Sequence, residues 1–148
     1  MVSSVQPKDV AIRRASVSDA AIVAKLSSLL GYPAAPVDLN SRLERLLPSP
    51  DHAVFVAEIG ETVVGWIHGA ERETLEMGQE CEILGLVVDA SARRAGAGRA
   101  LVAAIESWAA SRGRARVVVR SNIVRAESHP FYEALGYGRV KTQHVYRK

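Results

Sequence analysis

The hydrophobic positions of this chain follow two different spacings, one typical of strands and one typical of helices. Short apolar or alternating runs predict strands at Val10–Arg14, Ala53–Glu58, Thr62–Ala70, Glu80–Asp89, Ala115–Arg120 and Tyr137–Arg147. Apolar residues three and four apart predict helices at Ser18–Leu30, Val37–Leu47, Ala97–Arg112 and Ser128–Leu135. Helices that alternate with strands, around three consecutive strands in the middle, predict an α/β domain with a mixed sheet.

The composition is typical of one globular domain. The chain has 148 residues, of which 48% are hydrophobic and 24% charged, and no internal repeat or long linker divides it, so we expect one domain over residues 1–148. The single cysteine, Cys81, excludes an internal disulfide, and the four scattered histidines show no metal-ligand spacing, so no metal is expected. No apolar run approaches the ~20 residues that span a membrane, and residues 1–10 lack a signal-peptide core. A cytoplasmic protein without a membrane partner is expected.

The charge is unevenly distributed along the chain. The first 74 residues hold 7 basic and 9 acidic residues, and the remaining 74 hold 12 and 7, with arginine predominating. A basic half indicates either an anionic partner or an ordinary solvated surface. The arginines between residues 112 and 125 lie at a helix end and on a buried strand, and no aromatic-rich RNA-binding motif accompanies them. We therefore expect a phosphorylated small molecule as the partner and no nucleic acid.

The segment Leu84–Leu101, with the sequence LGLVVDASARRAGAGRAL, indicates a particular chemistry. A buried strand ends at Asp89, and a helix begins within Gly96-Ala97-Gly98. Glycines at a strand-to-helix turn let the backbone approach a ligand, and the free N–H groups of the helix start favour an anion. Arg93, Arg94 and Arg99 add positive charge, so a pyrophosphate suits this turn.

Two familiar nucleotide-binding motifs are excluded. The third glycine or alanine and the later acidic residue of a Rossmann fingerprint are missing, and so is the Gly-Lys-Ser/Thr of a P-loop. The other interpretation is structural, because glycines also allow a helix and a strand to pack closely.

Arg93-Arg94-Ala95-Gly96-Ala97-Gly98 resembles the (Gln/Arg)-x-x-Gly-x-(Gly/Ala) motif of the GNAT N-acetyltransferase superfamily. A second stretch, Phe131–Tyr137, resembles that family's (Phe/Leu)-Tyr-x-x-x-Gly-(Phe/Tyr) motif. The two occur in the family's order, and the early strand, two helices and meander extend the resemblance over nearly the whole chain. It implies a mixed, mostly antiparallel central sheet with a bulged strand before the coenzyme loop and helices on both faces.

The resemblance also implies that acetyl-CoA is the cosubstrate. Its pantetheine arm would pair with the bulged strand, with Gly85 at the bulge and the backbone of Val88 or Leu86 bonded to the thioester carbonyl. The residues expected to hold the coenzyme are Leu86, Val87, Val88, Arg93, Arg94, Ala95, Gly96, Ala97, Gly98, Arg99, Asn122 and Arg125. Asn122 and Arg125 are alternatives, since the family's usual asparagine position is occupied here by Arg125.

Catalytic roles follow from the same resemblance. Tyr132 matches the family tyrosine that protonates the departing thiolate, the other interpretation being an aromatic ring packed on the sheet. Glu82, on the strand before the motif, is our prediction for the base, and His68 is the alternative. The acceptor pocket is expected to include Tyr32, Trp66, His68 and Glu80, and glutamates between residues 71 and 82 would attract a cation if they border it.

The sequence therefore predicts an acetyl-CoA-dependent N-acetyltransferase that transfers the acetyl group directly to a primary amine of a cationic small molecule. A protein lysine or N-terminus as the acceptor, or a coenzyme-A-binding module without turnover, are the alternatives. The resemblance also implies a homodimer formed through the C-terminal strands.

Overall fold

The computed structural model describes residues 9–29, 31–121 and 128–148. The strands are β1 (Val10–Arg14), β2 (His52–Ile59), β3 (Thr62–Thr74), β4 (Gly78–Val88) and β5 (Val117–Val119). The helices are α1 (Ala20–Ser28), α2 (Pro36–Leu46), α3 (Ala97–Ser111) and α4 (Ser128–Ala134). Short 3-10 turns at Val17–Asp19 and Ala90–Ala95 lead into α1 and α3. These elements agree with the predicted ones to within a few residues, except at the C-terminus.

The five strands form one sheet in chain order. Strands β1 to β4 are antiparallel neighbours, and β5 lies parallel to β4. Between β3 and β4 the register shifts, because His68 pairs with Gly85 whereas Gly69 pairs with Ile83. Leu84 is thus the extra residue of a β-bulge. The predicted mixed, mostly antiparallel sheet with a bulged strand is confirmed.

Helices cover both faces of the sheet. On one face, α3 lies directly on β3, since a Cβ at Gly69 would meet Ile105 Cδ1 at 2.7 Å and one at Gly65 would meet Leu101 Cδ1 at 3.2 Å. On the other face, α1 and α2 enclose a second core that includes Ala20, Leu43, Val54 and Val56. The sheet is therefore buried on both sides.

The strand predicted over Tyr137–Arg147 is absent. Residues 137–148 contain no helix or strand, and Val140, Val145 and Tyr146 are 87–90% exposed. The alternating pattern is present in the sequence, but a strand also needs a neighbouring strand to hydrogen-bond with. In the part of the chain that the structure describes, no strand lies beyond β5 to supply one.

A buried ion pair fixes the start of α1. Asp19 is only 6% exposed, and its carboxylate accepts hydrogen bonds from Arg13 Nη1 and Nη2 at 2.9 and 2.8 Å and from Ser16 N–H at 2.8 Å. The Arg13 guanidinium lowers the pKa of Asp19 below its ordinary value of 3.8. Because a lowered pKa means that the folded state favours the charged carboxylate, this contribution to stability is complete above the unfolded-state pKa and is lost as the pH falls through the folded-state pKa.

Replacing Asp19 tests this anchor. We expect Asp19→Asn to lower the free energy of unfolding by about 1–3 kcal/mol at pH 7, since hydrogen bonds to a charged partner are lost. The deficit should shrink below pH 4, where the wild-type carboxylate also takes up a proton. Urea unfolding at pH 7 and pH 3 measures both values, with Asp38→Asn on exposed α2 as the matched control. An equal deficit at both pH values would contradict the ion pair's role.

Candidate active site

The site begins where β4 and β5 separate. Strand β5 pairs with β4 only from Cys81 to Ile83. After the bulge, the segment Leu84–Val88 stays bonded to β3 but has no strand on its other edge among the described residues. A strand edge of this kind presents unpaired backbone donors and acceptors.

The backbone groups of Leu86 and Val88 face that open edge. The Asp89 N–H donates to Val64 O at 2.8 Å, and the direction of backbone hydrogen bonding alternates along an antiparallel strand. Val87 and Gly85 therefore point their backbone groups at β3, whereas Leu86 and Val88 point theirs away from it. These are the two residues whose N–H groups were predicted to hold a thioester carbonyl.

One groove of about 880 Å³ runs through the gap between the strands. At one end it is lined by the turn before α3 and by α4. At the other end it is lined by α1, α2 and the adjoining face of β3. It brings together twelve of the predicted residues: Tyr32, Trp66, His68, Leu86, Val87, Val88, Arg93, Arg94, Gly96, Gly98, Arg99 and Tyr132.

The first end of the groove is suited to an anion. Gly96 has a φ of 82°, a left-handed conformation that glycine adopts without strain, and no atom lies within 4 Å of its Cβ position. The intrahelical bonds of α3 begin with Ala100 N–H donating to Gly96 O at 3.0 Å, so the N–H groups just before Ala100 have no helical acceptor. Arg94 and Arg99 are exposed beside this helix start. The N–H donors at the start of α3, the dipole of this helix and the charges of the two arginines all favour a phosphate there.

Gly98 has a packing role that the motif did not reveal. A Cβ on Gly98 would lie 3.1 Å from Cε1 of Phe131, on α4. Gly98 therefore lets α3 and α4 approach each other, and a bulky substitution there would displace α4 as well as block a ligand. The nearby Ala97 is fully buried, whereas Ala95 is exposed, and neither side chain lines the groove.

Tyr132 is held in an aromatic cluster on α4. Its ring packs edge-on against Phe131 at 5.0 Å and Tyr137 at 5.8 Å between centroids. The Tyr137 hydroxyl donates to Glu106 Oε2 at 3.2 Å, and burial raises the pKa of Tyr137. This packing orients Tyr132 toward the groove. The two alternatives for a further coenzyme contact, Asn122 and Arg125, lie outside the described residues.

The far end of the groove holds the predicted acceptor residues Tyr32, Trp66 and His68. Trp66 crosses the bulge, since a Cβ on Gly85 would meet its ring at 2.8 Å. Its buried Nε1–H has no hydrogen-bond partner in the described part of the chain. A buried donor without a partner is costly in a folded protein, so this N–H is available to a ligand oxygen.

His68 has a neighbour that the sequence analysis did not find. His68 Nε2 lies 2.9 Å from His52 Nδ1, and the two rings stack at 5.1 Å. Burial, and to a lesser extent the nearby His52, lowers the pKa of His68 from 6.5 to about 4. The two residues are sixteen positions apart, and only the β2–β3 pairing, in which His68 lies opposite Val54, brings them together. The sequence offered one indication of this contact, which is that alternate residues of two paired strands place their side chains on the same face of the sheet.

The two predicted glutamates do not line the groove. Glu82 is 8% exposed, and its carboxylate forms ion pairs with Arg72 and Arg120. Glu80 is 7% exposed and lies opposite Arg72 in the β3–β4 register. The Glu82 carboxylate is therefore held in ion pairs, one of them with the groove-lining Arg120, and neither glutamate itself lines the groove.

The acidic stretch between residues 71 and 82 faces arginines rather than the groove. Glu71 accepts hydrogen bonds from Arg112 Nη2 and Arg114 Nε, each at 2.7 Å, and the Arg112 guanidinium lowers the pKa of Glu71. Cys81 is fully buried near this cluster, and burial raises the pKa of its thiol. Glu71 therefore connects β3 to the end of α3.

The groove, bulge and turn geometry agree with a comparison of the chain with known families. A model of the GNAT acetyltransferase family matches residues 24–137. The chain belongs to this family.

Relatives of this GNAT protein include enzymes that modify antibiotics. It is 26% identical over 118 residues to an aminoglycoside N(6')-acetyltransferase of Serratia marcescens, covering 76% of this chain and 81% of that one. Two solved structures share its fold at 19% identity. One is an aminoglycoside N-acetyltransferase in complex with CoA, with a TM-score of 0.87 over 99% of both chains. The other is an aminoglycoside 6'-N-acetyltransferase from Acinetobacter baumannii, with a TM-score of 0.84 over 94% of this chain and 97% of that one.

The residues present suit the coenzyme of the GNAT family. The unpaired edge at Leu86 and Val88 matches the amide groups of a pantetheine arm, and the helix start beside Arg94 and Arg99 matches its phosphates. Ser121 Oγ, buried in the groove wall, has no hydrogen-bond partner among the described residues and is a further available contact. The GNAT protein is an acetyl-CoA-dependent N-acetyltransferase.

The described residues hold neither a metal-binding cluster nor a membrane-spanning helix. Within residues 9–29, 31–121 and 128–148, no cluster of three histidine, cysteine or carboxylate side chains is arranged to hold a metal ion. Over the same residues, no helix combines the length and apolar character needed to cross a bilayer.

The arginines at the groove entrance can be tested separately from catalysis. We expect Arg94→Ala and Arg99→Ala each to weaken acetyl-CoA binding about three- to tenfold, because each removes one screened charge beside the phosphates. Isothermal titration at two salt concentrations measures the dissociation constant and its salt dependence. Arg45→Ala, on the exposed side of α2 away from the groove, is the matched control. Equal affinities for all three variants would contradict the phosphate assignment.

Proposed function

We propose that this GNAT protein, as one domain over residues 1–148, transfers an acetyl group directly from acetyl-CoA to a primary amine of a cationic small molecule. The observation that carries the proposal is one continuous groove that joins a helix start suited to an anion to a second, largely apolar end. Direct transfer needs both substrates in one cavity, and the open edge of β4 lies between the two ends. The sequence similarity to an aminoglycoside acetyltransferase supports a small, cationic acceptor.

The role proposed for the coenzyme half of the groove is to bind and orient acetyl-CoA. Acetyl-CoA, when bound, supplies the acetyl group as a thioester. The N–H groups at the start of α3, with Arg93, Arg94 and Arg99, would hold its phosphates, and the backbone of Leu86 to Val88 would hold its pantetheine arm. Of these, the Val88 or Leu86 N–H is the proposed donor to the carbonyl oxygen, where a fixed dipole stabilises developing negative charge.

The residues that line the acceptor half indicate which groups the substrate should carry besides its amine. Its apolar wall from α1 and α2 excludes water, and Trp66 Nε1–H offers a hydrogen bond to an oxygen. Arg42 is the charged residue from α2 in the lining, and no carboxylate is among the described lining residues. An amine on a compact scaffold with a neighbouring hydroxyl or ether oxygen, as in an amino sugar, fits these features.

Tyr132 is the proposed proton donor. Its phenol oxygen would carry the proton that is transferred to the departing thiolate. Its packing between Phe131 and Tyr137 supports the role, since a fixed ring keeps the hydroxyl in place.

The assembly and location also remain proposals. A homodimer through the C-terminal segment is supported by the exposed apolar side chains of Val140, Val145 and Tyr146. A cytoplasmic location remains a prediction from the sequence.

A panel of amines tests the proposed activity. We expect neamine and other aminoglycosides to release free thiol from acetyl-CoA and to gain one acetyl group by mass spectrometry. Lysine peptides, protein N-termini and glutamate are the comparison acceptors. Preferred acetylation of a peptide would make this a protein acetyltransferase. Tight acetyl-CoA binding without turnover on any amine would make it a coenzyme-binding module.

Substituting the proposed acid separates chemistry from binding. We expect Tyr132→Phe to lower kcat about 10²- to 10⁴-fold when chemistry limits the rate. Acetyl-CoA affinity should stay nearly unchanged, because the ring and its packing are retained. Steady-state kinetics and titration of the coenzyme measure the two effects. Tyr146→Phe in the exposed C-terminal segment is the matched control, and wild-type kcat for Tyr132→Phe would exclude the hydroxyl from the reaction.

A further inference from the structure

His68 lies in the groove wall next to the irregular part of the sheet. It pairs with Gly85 at the register shift, one residue from the open edge of β4. Its ring lines the groove at the acceptor end, together with Trp66. A group here is next to the place where the proposed transfer occurs.

The His52 contact leaves one ring nitrogen of His68 for another partner. At 2.9 Å, Nε2 of His68 and Nδ1 of His52 share one hydrogen. In the arrangement in which His68 Nε2–H donates to His52 Nδ1, the neutral His68 ring has a lone pair on Nδ1. That nitrogen is then a proton acceptor whose orientation the second histidine fixes.

The carboxylates that compete for this role are already engaged. Glu82 is paired with Arg72 and Arg120, and none of the described lining residues is Asp or Glu. The hydroxyls of Tyr32 and Tyr132 are weak bases at neutral pH. His68 is therefore the described lining residue best able to accept a proton.

We propose that His68, hydrogen-bonded to His52, removes the proton from the acceptor amine. The ammonium N–H bond breaks, and a new N–H bond forms at His68 Nδ1. The hydrogen on His68 Nε2 passes to His52 Nδ1, and the imidazolium of His52 releases its Nε2 proton to solvent. One proton has then moved from the amine to water, and both rings end neutral with their hydrogen on Nδ1. Proton exchange with solvent at His52 Nε2 and at His68 Nδ1, once the product has left, returns both rings to the Nε2–H tautomer for the next turnover. This step rests on the proposed function and names the base for it.

The surroundings of His68 keep its ring in the unprotonated form that a base requires. Burial holds His68 neutral at physiological pH, since its pKa is lowered to about 4. His52 on β2 is the titratable group in contact with it, and Tyr32, Arg42 and Arg120 line the same groove, Arg120 being paired with Glu82 of β4. A base that is neutral over the working range leaves the amine, with an ordinary pKa of about 10.4, as the group that sets the rising limb of rate against pH.

Kinetics against pH test the pair. With neamine as acceptor, or the panel amine that is acetylated, we expect His68→Gln to lower kcat about 10²- to 10⁴-fold at pH 7 with little change in KM. The loss should shrink above pH 9, where free amine no longer needs a base. His52→Gln should cause a smaller loss, and the double variant should be no slower than His68→Gln, because the two residues act as one unit.

A second readout does not depend on turnover. We expect NMR titration of the imidazole nitrogens to show His68 neutral down to about pH 5 in the wild type, with one hydrogen shared between the two rings. Acetyl-CoA affinity and thermal unfolding of each variant show that it is folded. His144→Gln, in the exposed C-terminal segment, is the matched control and should keep wild-type kinetics.

The outcomes separate this inference from the proposed function. If the wild type acetylates no amine, the proposed function fails and the inference fails with it. If the wild type is active and His68→Gln keeps its kcat and pH profile, only the inference is overturned. The same holds if a folded Glu82→Gln variant, rather than His68→Gln, loses kcat with rescue at high pH.

Discussion

Beyond Ile83, strand β4 keeps its hydrogen bonds to β3 and loses β5 as a partner, and the groove exists because of that separation. The extra residue at Leu84 bends the strand and increases its local twist. Its consequence is an open backbone edge at Leu86 and Val88 in the middle of a sheet that is otherwise covered on both faces. Backbone polar groups need partners, and this open edge is where we propose that the amides of the coenzyme pair.

Small residues determine how closely the groove walls approach. Gly69 admits Ile105 of α3, Gly85 admits the ring of Trp66, and Gly98 admits Phe131. Each contact places an element that lines or supports the cavity. The glycines of the coenzyme motif therefore serve two purposes, since Gly96 exposes backbone to the ligand while Gly98 sets the spacing between two helices.

Ion pairs sort the charges of the molecule into two groups. Arg112 and Arg114 bind Glu71, and Arg72 and Arg120 bind Glu82, so the buried carboxylates are neutralised by arginines around the sheet. Arg93, Arg94 and Arg99 lie at the groove entrance. The concentration of positive charge at the coenzyme end follows from this division, whereas the acceptor end is partly apolar and carries Arg42. A neutral His68 hydrogen-bonded to His52 suits the proposed proton removal better than a carboxylate held between two cations.

Local patterns in the sequence were sufficient for most of the fold and for the turn at which we propose that the coenzyme binds. The strand and helix periods gave β1 and α3 nearly to the residue, and the glycines and arginines of residues 93–99 indicated an anion-binding turn, because both depend on neighbours along the chain. The acceptor half depends on partners far apart in the chain. Strand register decided that His52 meets His68, and the tertiary structure decided that the Glu82 carboxylate is held in ion pairs with Arg72 and Arg120. The same reason explains the missing C-terminal strand, since residues 137–147 alternate like a strand while the described chain offers no neighbour with which they can pair.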